Sequence, residues 1–343
     1  MRKTICVFCA LIALIVACRK ETGNPPANNP TDAPVLTPFL IRPPAHFPTL
    51  PIPEDNQPYV EKIQLGRMLY YDPILSNNGR SCATCHVQSK GFTIDGMIND
   101  MPVLPHVNLA WNTNFMWNGS QRGTLEDLML FEVKDFFGTD ITKVNASAKY
   151  RELFKKYFAV DNITYKEVSY ALAQFVRTLI SRDTKYDAYL QGYTSLSYDE
   201  LQGRNIFFSE KGDCYHCHVN PVLTDNLLHN IGLDSLYTKE MDKGLFNVTH
   251  DNKDLGKFRT PNLRNVGLRK RYMHDGRFQT LEEVIEFYNS GVRKVTNLDP
   301  IMTKAGKANG LQLSDQEKHQ LVAFLHTFTD ATFISDTSFS NPE

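Results

Sequence analysis

Cys82-Ala83-Thr84-Cys85-His86 and Cys214-Tyr215-His216-Cys217-His218 decide how this sequence is read. Each is a C-x-x-C-H segment, the pattern at which haem is attached covalently: two thiols bond the porphyrin vinyl groups and the adjacent histidine is delivered beneath the ring to bind iron. A redox-active C-x-x-C or half of a zinc site also uses paired cysteines, but neither requires a histidine straight after the pair in both copies. The segments therefore point to two covalently bound haem c groups, one on Cys82, Cys85 and His86 and one on Cys214, Cys217 and His218.

Of the seven cysteines, Cys6, Cys9 and Cys18 lie near the start and the other four form the two pairs, so no thiol is left for a structural disulfide. The chain opens Met1-Arg2-Lys3 followed by an apolar run to Ala17, too short to span a membrane comfortably and of the form of a secretory signal. It ends Ile15-Val16-Ala17-Cys18, similar to the lipobox of bacterial lipoproteins. Residues 1–17 are thus expected to be a lipoprotein signal and Cys18 the lipidated mature N-terminus, facing the periplasm on a bacterial membrane; an ordinary signal with an incidental cysteine is the alternative. Residues 18–55, rich in Pro, Asn, Thr and Asp without an apolar period, are expected to be a flexible tether. Lys plus Arg number 37 against 38 Asp plus Glu, so no overall field exists to hold nucleic acid.

From Tyr59 the pattern turns helical, with Val60, Ile63, Leu65 and Leu69 on one face and Asp72-Pro73 as the stop. Val168, Leu172, Phe175, Val176 and Leu179 make a clearer stripe over Tyr165 to Ile180. A polar stretch from Gln191 to Ser197 separates it from a helix beginning near Asp199. Thr280-Leu281-Glu282-Glu283 and Ser314-Asp315-Gln316-Glu317 have the capping-box form before apolar runs. Strand-like alternation is nearly absent. The expectation is an all-α fold of two cytochrome c-like helical domains with long loops, residues 56–192 and 193–332, each carrying one haem.

The sixth iron position separates a carrier from an enzyme, being filled in most carriers and open in catalysts. After His86 the nearby candidates are Met97, Met101, His106 and Met116, and His106 reads more readily as a loop or core histidine than as a ligand.

Leu65-Gly66-Arg67-Met68-Leu69-Tyr70-Tyr71-Asp72-Pro73, Asn108-Leu109-Ala110-Trp111-Asn112, Met116-Trp117-Asn118-Gly119, Thr124-Leu125-Glu126, Phe258-Arg259-Thr260-Pro261-Asn262-Leu263-Arg264-Asn265-Val266 and Tyr272-Met273-His274-Asp275-Gly276 resemble segments of the bacterial di-haem cytochrome c peroxidase and MauG superfamily. The resemblance runs from about Tyr59 to Asp330. It implies a peroxide-binding first haem, an electron-transfer second haem and Trp117 between them, although a tryptophan is also common as core.

Three departures are informative. The loop that carries a distal histidine in reductively activated relatives is short here and His106 does not align with it, which implies a five-coordinate first haem of the MauG kind. Tyr288 stands where peroxidases have the methionine ligand of the second haem; a phenolate stabilises oxidised iron, whereas a thioether favours ferrous iron. The alternative is a half-buried tyrosine packed on its helix, with Met273 and Met302 as reserve ligands. The family's acid-base glutamine and glutamate are replaced by Asp127 and Phe137, leaving Asp127, Glu132 and Asp135 as candidates to move the proton that O–O cleavage needs, or as plain surface charges. The resemblance also leaves room for Ca²⁺ between the domains, near Arg269, Lys270 and Arg271, and for a homodimer. Expected partners are hydrogen peroxide and an electron-donor cytochrome c or other redox protein. Three functions remain open: a di-haem peroxidase, a MauG-type oxidation of a protein or organic substrate, and a non-catalytic electron carrier.

Overall fold

The helix before each C-x-x-C-H segment crosses a later helix at a glycine. In the computed structural model, which describes residues 35–304, 306–307 and 310–342, helix Val60–Tyr71 packs on Tyr165–Thr178. At the crossing an added Cβ on Gly66 would overlap the carbonyl oxygen of Ala171. Helix Tyr198–Phe207 crosses Asp315–His326 in the same way, with Gly203 against the carbonyl of Gln320. Glycine costs about 1 kcal/mol in a helix interior, and the closer helix contact it permits offsets that. The first helix stops where Asp72-Pro73 requires, because the residue before proline is driven to extended backbone.

The capping boxes at Thr280 and Ser314 form as expected, and Ser81, Thr124, Thr164, Thr184 and Ser197 add five more among the described residues. Strand structure among the described residues amounts to three antiparallel ribbons, Met97–Ile98 with Met101–Pro102, Asn114–Phe115 with Gln121–Arg122, and Leu228–His229 with Phe258–Arg259. The architecture is thus helical with long loops.

Two apolar clusters form within the unit Leu36–Glu343. Leu65, Leu69, Tyr70, Leu172 and Phe175 belong to one, and Ile206, Phe207, Leu321, Phe324 and Phe328 to the other. The first runs from Ile41 to Ile180 and takes in Phe333 as well, and the second runs from Tyr186 to Phe328. Thr184 caps a helix, Lys185–Leu190, that carries Tyr186 of the second cluster. Buried ionic contacts tie the connecting segment down. Arg264 grips Asp187 through two hydrogen bonds of 2.7 and 2.8 Å. The Asp330 carboxylate accepts from Ser181 Oγ and from the backbone of Arg182 and Asp183.

The tether expectation is corrected for its described part. Ile41, Phe47 and Leu50 are buried, Trp111 donates to the Pro48 carbonyl, Arg177 donates to that of Pro51, and Pro38 bridges to Tyr59. An extended strap binds through isolated side chains and main-chain carbonyls, so its sequence shows no apolar period. The signal segment 1–17, Cys18 and the start of the tether lie outside the described residues. Among the described residues no helix is long and apolar enough to cross a membrane.

Candidate haem centres

Both C-x-x-C-H segments fold as a single helical turn, Cys82–Cys85 and Cys214–His216. Spacings of three and four residues put the two thiols and the histidine on one face of such a turn. His86 and His218 return their backbone N–H to the carbonyls of Cys82 and Cys214, each at 2.9 Å. Nδ1 of His86 lies 3.0 Å from the Phe92 carbonyl and Nδ1 of His218 lies 3.2 Å from that of Leu223. A carbonyl at Nδ1 fixes the proton there and leaves Nε2 free as a metal ligand. Burial lowers both imidazoles to about 4, so they are neutral, as iron ligation requires. Burial raises the Cys82 thiol and pushes Cys214 up to about 12. Such thiols are poor thiolates, which disfavours the redox-active alternative.

The second segment opens on a cavity of about 220 Å³. Leu263, Leu281, Ile285, Leu321 and Leu325 supply apolar walls, and Cys214, Cys217 and His218 lie at its edge with Tyr288, Met273 and Met302. Arg259 and Arg269 also line it. Burial, helped by their mutual repulsion for Arg259, lowers both guanidinium groups to about 10, and neither is paired with a carboxylate among the described residues. Buried uncompensated charge costs several kcal/mol. An apolar slot with two thiols, a neutral imidazole and two unmatched cations fits haem, whose macrocycle is apolar and whose propionates are anionic. Burial first, then the nearby Cys217 and Cys214, raises the Tyr288 phenol well above its ordinary range.

Trp117 stands in the wall of this cavity with Pro102, Val103, Leu104 and Pro105. Its Nε1 donates to the Pro102 carbonyl at 2.8 Å, and its own carbonyl accepts from Arg259 N at 2.8 Å. The next residue after this loop, His106, belongs to the first segment: its ring stacks on His86 with centroids 3.4 Å apart. His106 thus lies directly beside His86. Met97 is placed elsewhere, its sulfur lying against Gly276.

The carboxylates divide. Asp127 is exposed and completes the Thr124 capping box, accepting from Thr124 N and Oγ1 at 2.8 Å each. Asp135 is exposed. Glu132 is half-buried by exposed surface yet densely surrounded by protein, and that burial raises it from 4.5 to about 7; its charge is felt at Cys82 and Cys85. A repeat that the motif-by-motif reading missed explains its position. Thr124-Leu125-Glu126-Asp127-Leu128-Met129-Leu130-Phe131-Glu132 matches Thr280-Leu281-Glu282-Glu283-Val284-Ile285-Glu286-Phe287-Tyr288. Each copy is a Thr-capped helix running into a π-helical turn, Glu132–Phe136 and Phe287–Gly291. Such turns are frequent at functional sites. Glu132 is the first-site counterpart of Tyr288.

The di-haem cytochrome c peroxidase family model matches residues 60–195. Over 296 residues, 81% of each chain, the protein is 32% identical to methylamine utilization protein MauG of Methylorubrum extorquens. It is 34% identical over 262 residues to cytochrome c551 peroxidase of Nitrosomonas europaea, 71% of this chain and 77% of that one. A solved structure of a MauG-like protein associated with microbial copper homeostasis superposes with a TM-score of 0.79 at 33% identity, covering 89% of this chain and 99% of the other. With the haem-compatible geometry of both segments, these likenesses mean that the chain belongs to the di-haem cytochrome c peroxidase family that includes MauG, and so to the haem-dependent oxidoreductases.

Proposed function

We propose that the chain is an exported di-haem c-type peroxidase, reducing hydrogen peroxide at a first haem on Cys82, Cys85 and His86 with electrons passed through a second on Cys214, Cys217, His218 and Tyr288. What supports this reading is the pair of matched helices, in which Glu132, a half-buried carboxyl, falls in register with the phenol of Tyr288. Bound at these positions, haem supplies an iron that accepts two oxidising equivalents from peroxide.

The chain's residues do the rest. Phe92 and Leu223 carbonyls hold the imidazoles with Nε2 toward the metal. Glu132 takes the proton from the peroxide oxygen nearer the iron and returns it to the outer oxygen, which leaves as water. Arg259 and Arg269, which line the cavity, would hold the propionates of the second haem. Trp117, fixed at both its indole and its carbonyl, carries electrons between the sites. The donor is a cytochrome c or similar redox protein, as the names of the peroxidase relatives say of those proteins. Lipidation at Cys18 would hold the enzyme on the periplasmic side of a bacterial membrane.

A second reading, MauG-type oxidation of a protein or organic substrate by long-range electron transfer, draws on Tyr288: an anionic donor stabilises oxidised iron, so the second site could retain oxidising equivalents instead of only passing electrons in. A pure carrier has no use for a buried carboxyl at the first site. As-isolated ferric holoprotein should retain haem on the denatured chain, show a high-spin component and change its spectrum on adding peroxide. Two low-spin haems indifferent to peroxide, before and after partial reduction, would overturn the enzyme reading.

A further inference from the structure

The carbonyl that faces His86 Nδ1 belongs to Phe92, whose backbone is left-handed (φ 59°), a conformation that a bulky side chain rarely adopts. A strained residue of this kind persists only where its surroundings over-determine it. Tyr70 lies on one side of the Phe92 ring, with centroids 6.3 Å apart. The other side is closed by the far end of the chain: Phe333 and Phe339 pack on the ring at 5.2 and 6.4 Å. Polar contacts pin the same end to the turn that leads from His86 to Phe92. Gln88, two residues after the histidine, donates to the Asp336 carbonyl at 2.7 Å and accepts from Ser340 Oγ at 2.9 Å. Arg67, on the helix before the haem segment, donates to the carbonyls of Ser340 and Thr337 at 2.6 and 2.7 Å. The path of this end is set by Asp330, which caps helix Ala331–Ser335 by accepting from Phe333 N at 2.9 Å and is itself anchored by donating from its N–H to Asn265 Oδ1 at 2.8 Å.

The second site repeats the strained carbonyl without the tail. Leu223 is also left-handed (φ 57°) and turns its carbonyl to His218 Nδ1, but it belongs to the apolar cluster of its own half. Phe333, by contrast, is the one buried member of the first cluster from beyond Ile180 among the described residues. We propose that residues 331–340 are a positioning element for the histidine ligand of the first haem: Phe333 and Phe339 keep Phe92 left-handed and so keep its carbonyl on His86 Nδ1. The inference rests on the reading of His86 as an iron ligand. A carbonyl that accepts from Nδ1–H fixes the ring and makes the imidazole a stronger donor, which favours oxidised iron. Loosening the tail weakens that bond at the first site and leaves the Leu223 carbonyl at the second untouched.

The test compares full-length holoproteins at equal covalent haem content, reading each haem's midpoint potential by spectroelectrochemical titration and the iron–histidine stretch of the reduced first haem by resonance Raman. In Phe333→Ala the first haem's potential should rise and its stretch fall in frequency, with the second haem's potential unchanged, and Phe333→Leu should recover most of both. Phe339→Ala removes a ring that is only half-buried, so folding is not at issue, and should move both readings the same way by less; it decides alone if Phe333→Ala loses haem. Phe154→Ala removes an equally buried ring of the first cluster that pairs with Phe158 instead, and should leave the first haem unmoved. Unaltered readings in the Phe333 and Phe339 variants, or an equal shift in Phe154→Ala, would overturn the inference and leave the peroxidase reading standing. A wild-type protein without haem on Cys82 and Cys85 would overturn both.

Discussion

Replacing Glu132 with Gln probes the first site through a pH signature that a surface acid does not share. Burial raises this carboxyl from 4.5 to about 7. Taking a proton from peroxide requires the ionised form, so activity is lost as pH falls through that value. The ionised fraction climbs from about 1% at pH 5 to about 90% at pH 8, a roughly 90-fold increase with a slope near tenfold per unit below 7. A carboxyl with an ordinary pKa would already be about 75% ionised at pH 5 and would gain only about 1.3-fold over the same range. Stopped-flow mixing of ferric holoprotein with peroxide, followed in the Soret band from pH 5 to 8, measures this directly. Glu132→Gln should lower the rate at pH 8 by about 10²–10⁴-fold, the usual worth of general acid-base catalysis, and flatten the profile. A wild-type rate already level across the range, or a Gln variant that keeps the wild-type slope, would refute the assignment.

Tyr288→Phe keeps the ring and removes the oxygen donor, so the second haem's absorption should change and its midpoint potential rise in spectroelectrochemical titration; an unaltered spectrum would remove Tyr288 from the ligand set. Arg264→Met should lower stability by about 3–5 kcal/mol, read as a fall in thermal midpoint, because it leaves Asp187, 1% exposed at its side chain, with only Thr184 and a longer contact to His46.

Local chemistry and periodicity were legible in the sequence, and contacts between distant segments were not. The C-x-x-C-H segments, the stripe from Val168 to Leu179 and the capping boxes at Thr280 and Ser314 declare themselves because each is decided by neighbours within one or two helical turns. The strap from Leu36 to Asn56 is different: Ile41, Phe47 and Leu50 are held by residues far along the chain, and nothing local distinguishes them from apolar residues in a solvated linker. Arg259 and Arg269 likewise look like ordinary surface cations until folding removes their water without supplying carboxylates. Glu132 could have been singled out without coordinates. Three acids, Asp127, Glu132 and Asp135, were equivalent when read against one helix, but only Glu132 falls in register with Tyr288 when the two Thr-Leu-Glu segments are aligned.

That register bears on how one scaffold supports two different sites. Gly66 and Gly203 fix the helix crossings, Asn108 and Asn265 begin matched 3-10 turns, and Thr124 and Thr280 cap matched helices. With backbone positions set by these residues, differences in chemistry fall to side chains that the scaffold does not need. Three matched places differ in kind: Glu132 against Tyr288, His106 against Leu263, and Tyr70 against Phe207. In each, the first half carries a polar, ionisable group, while the second carries the proposed ligand Tyr288 or a hydrocarbon side chain. Cleaving peroxide moves protons as well as electrons, whereas relaying electrons does not, so the asymmetry is the one that the proposed division of labour would require.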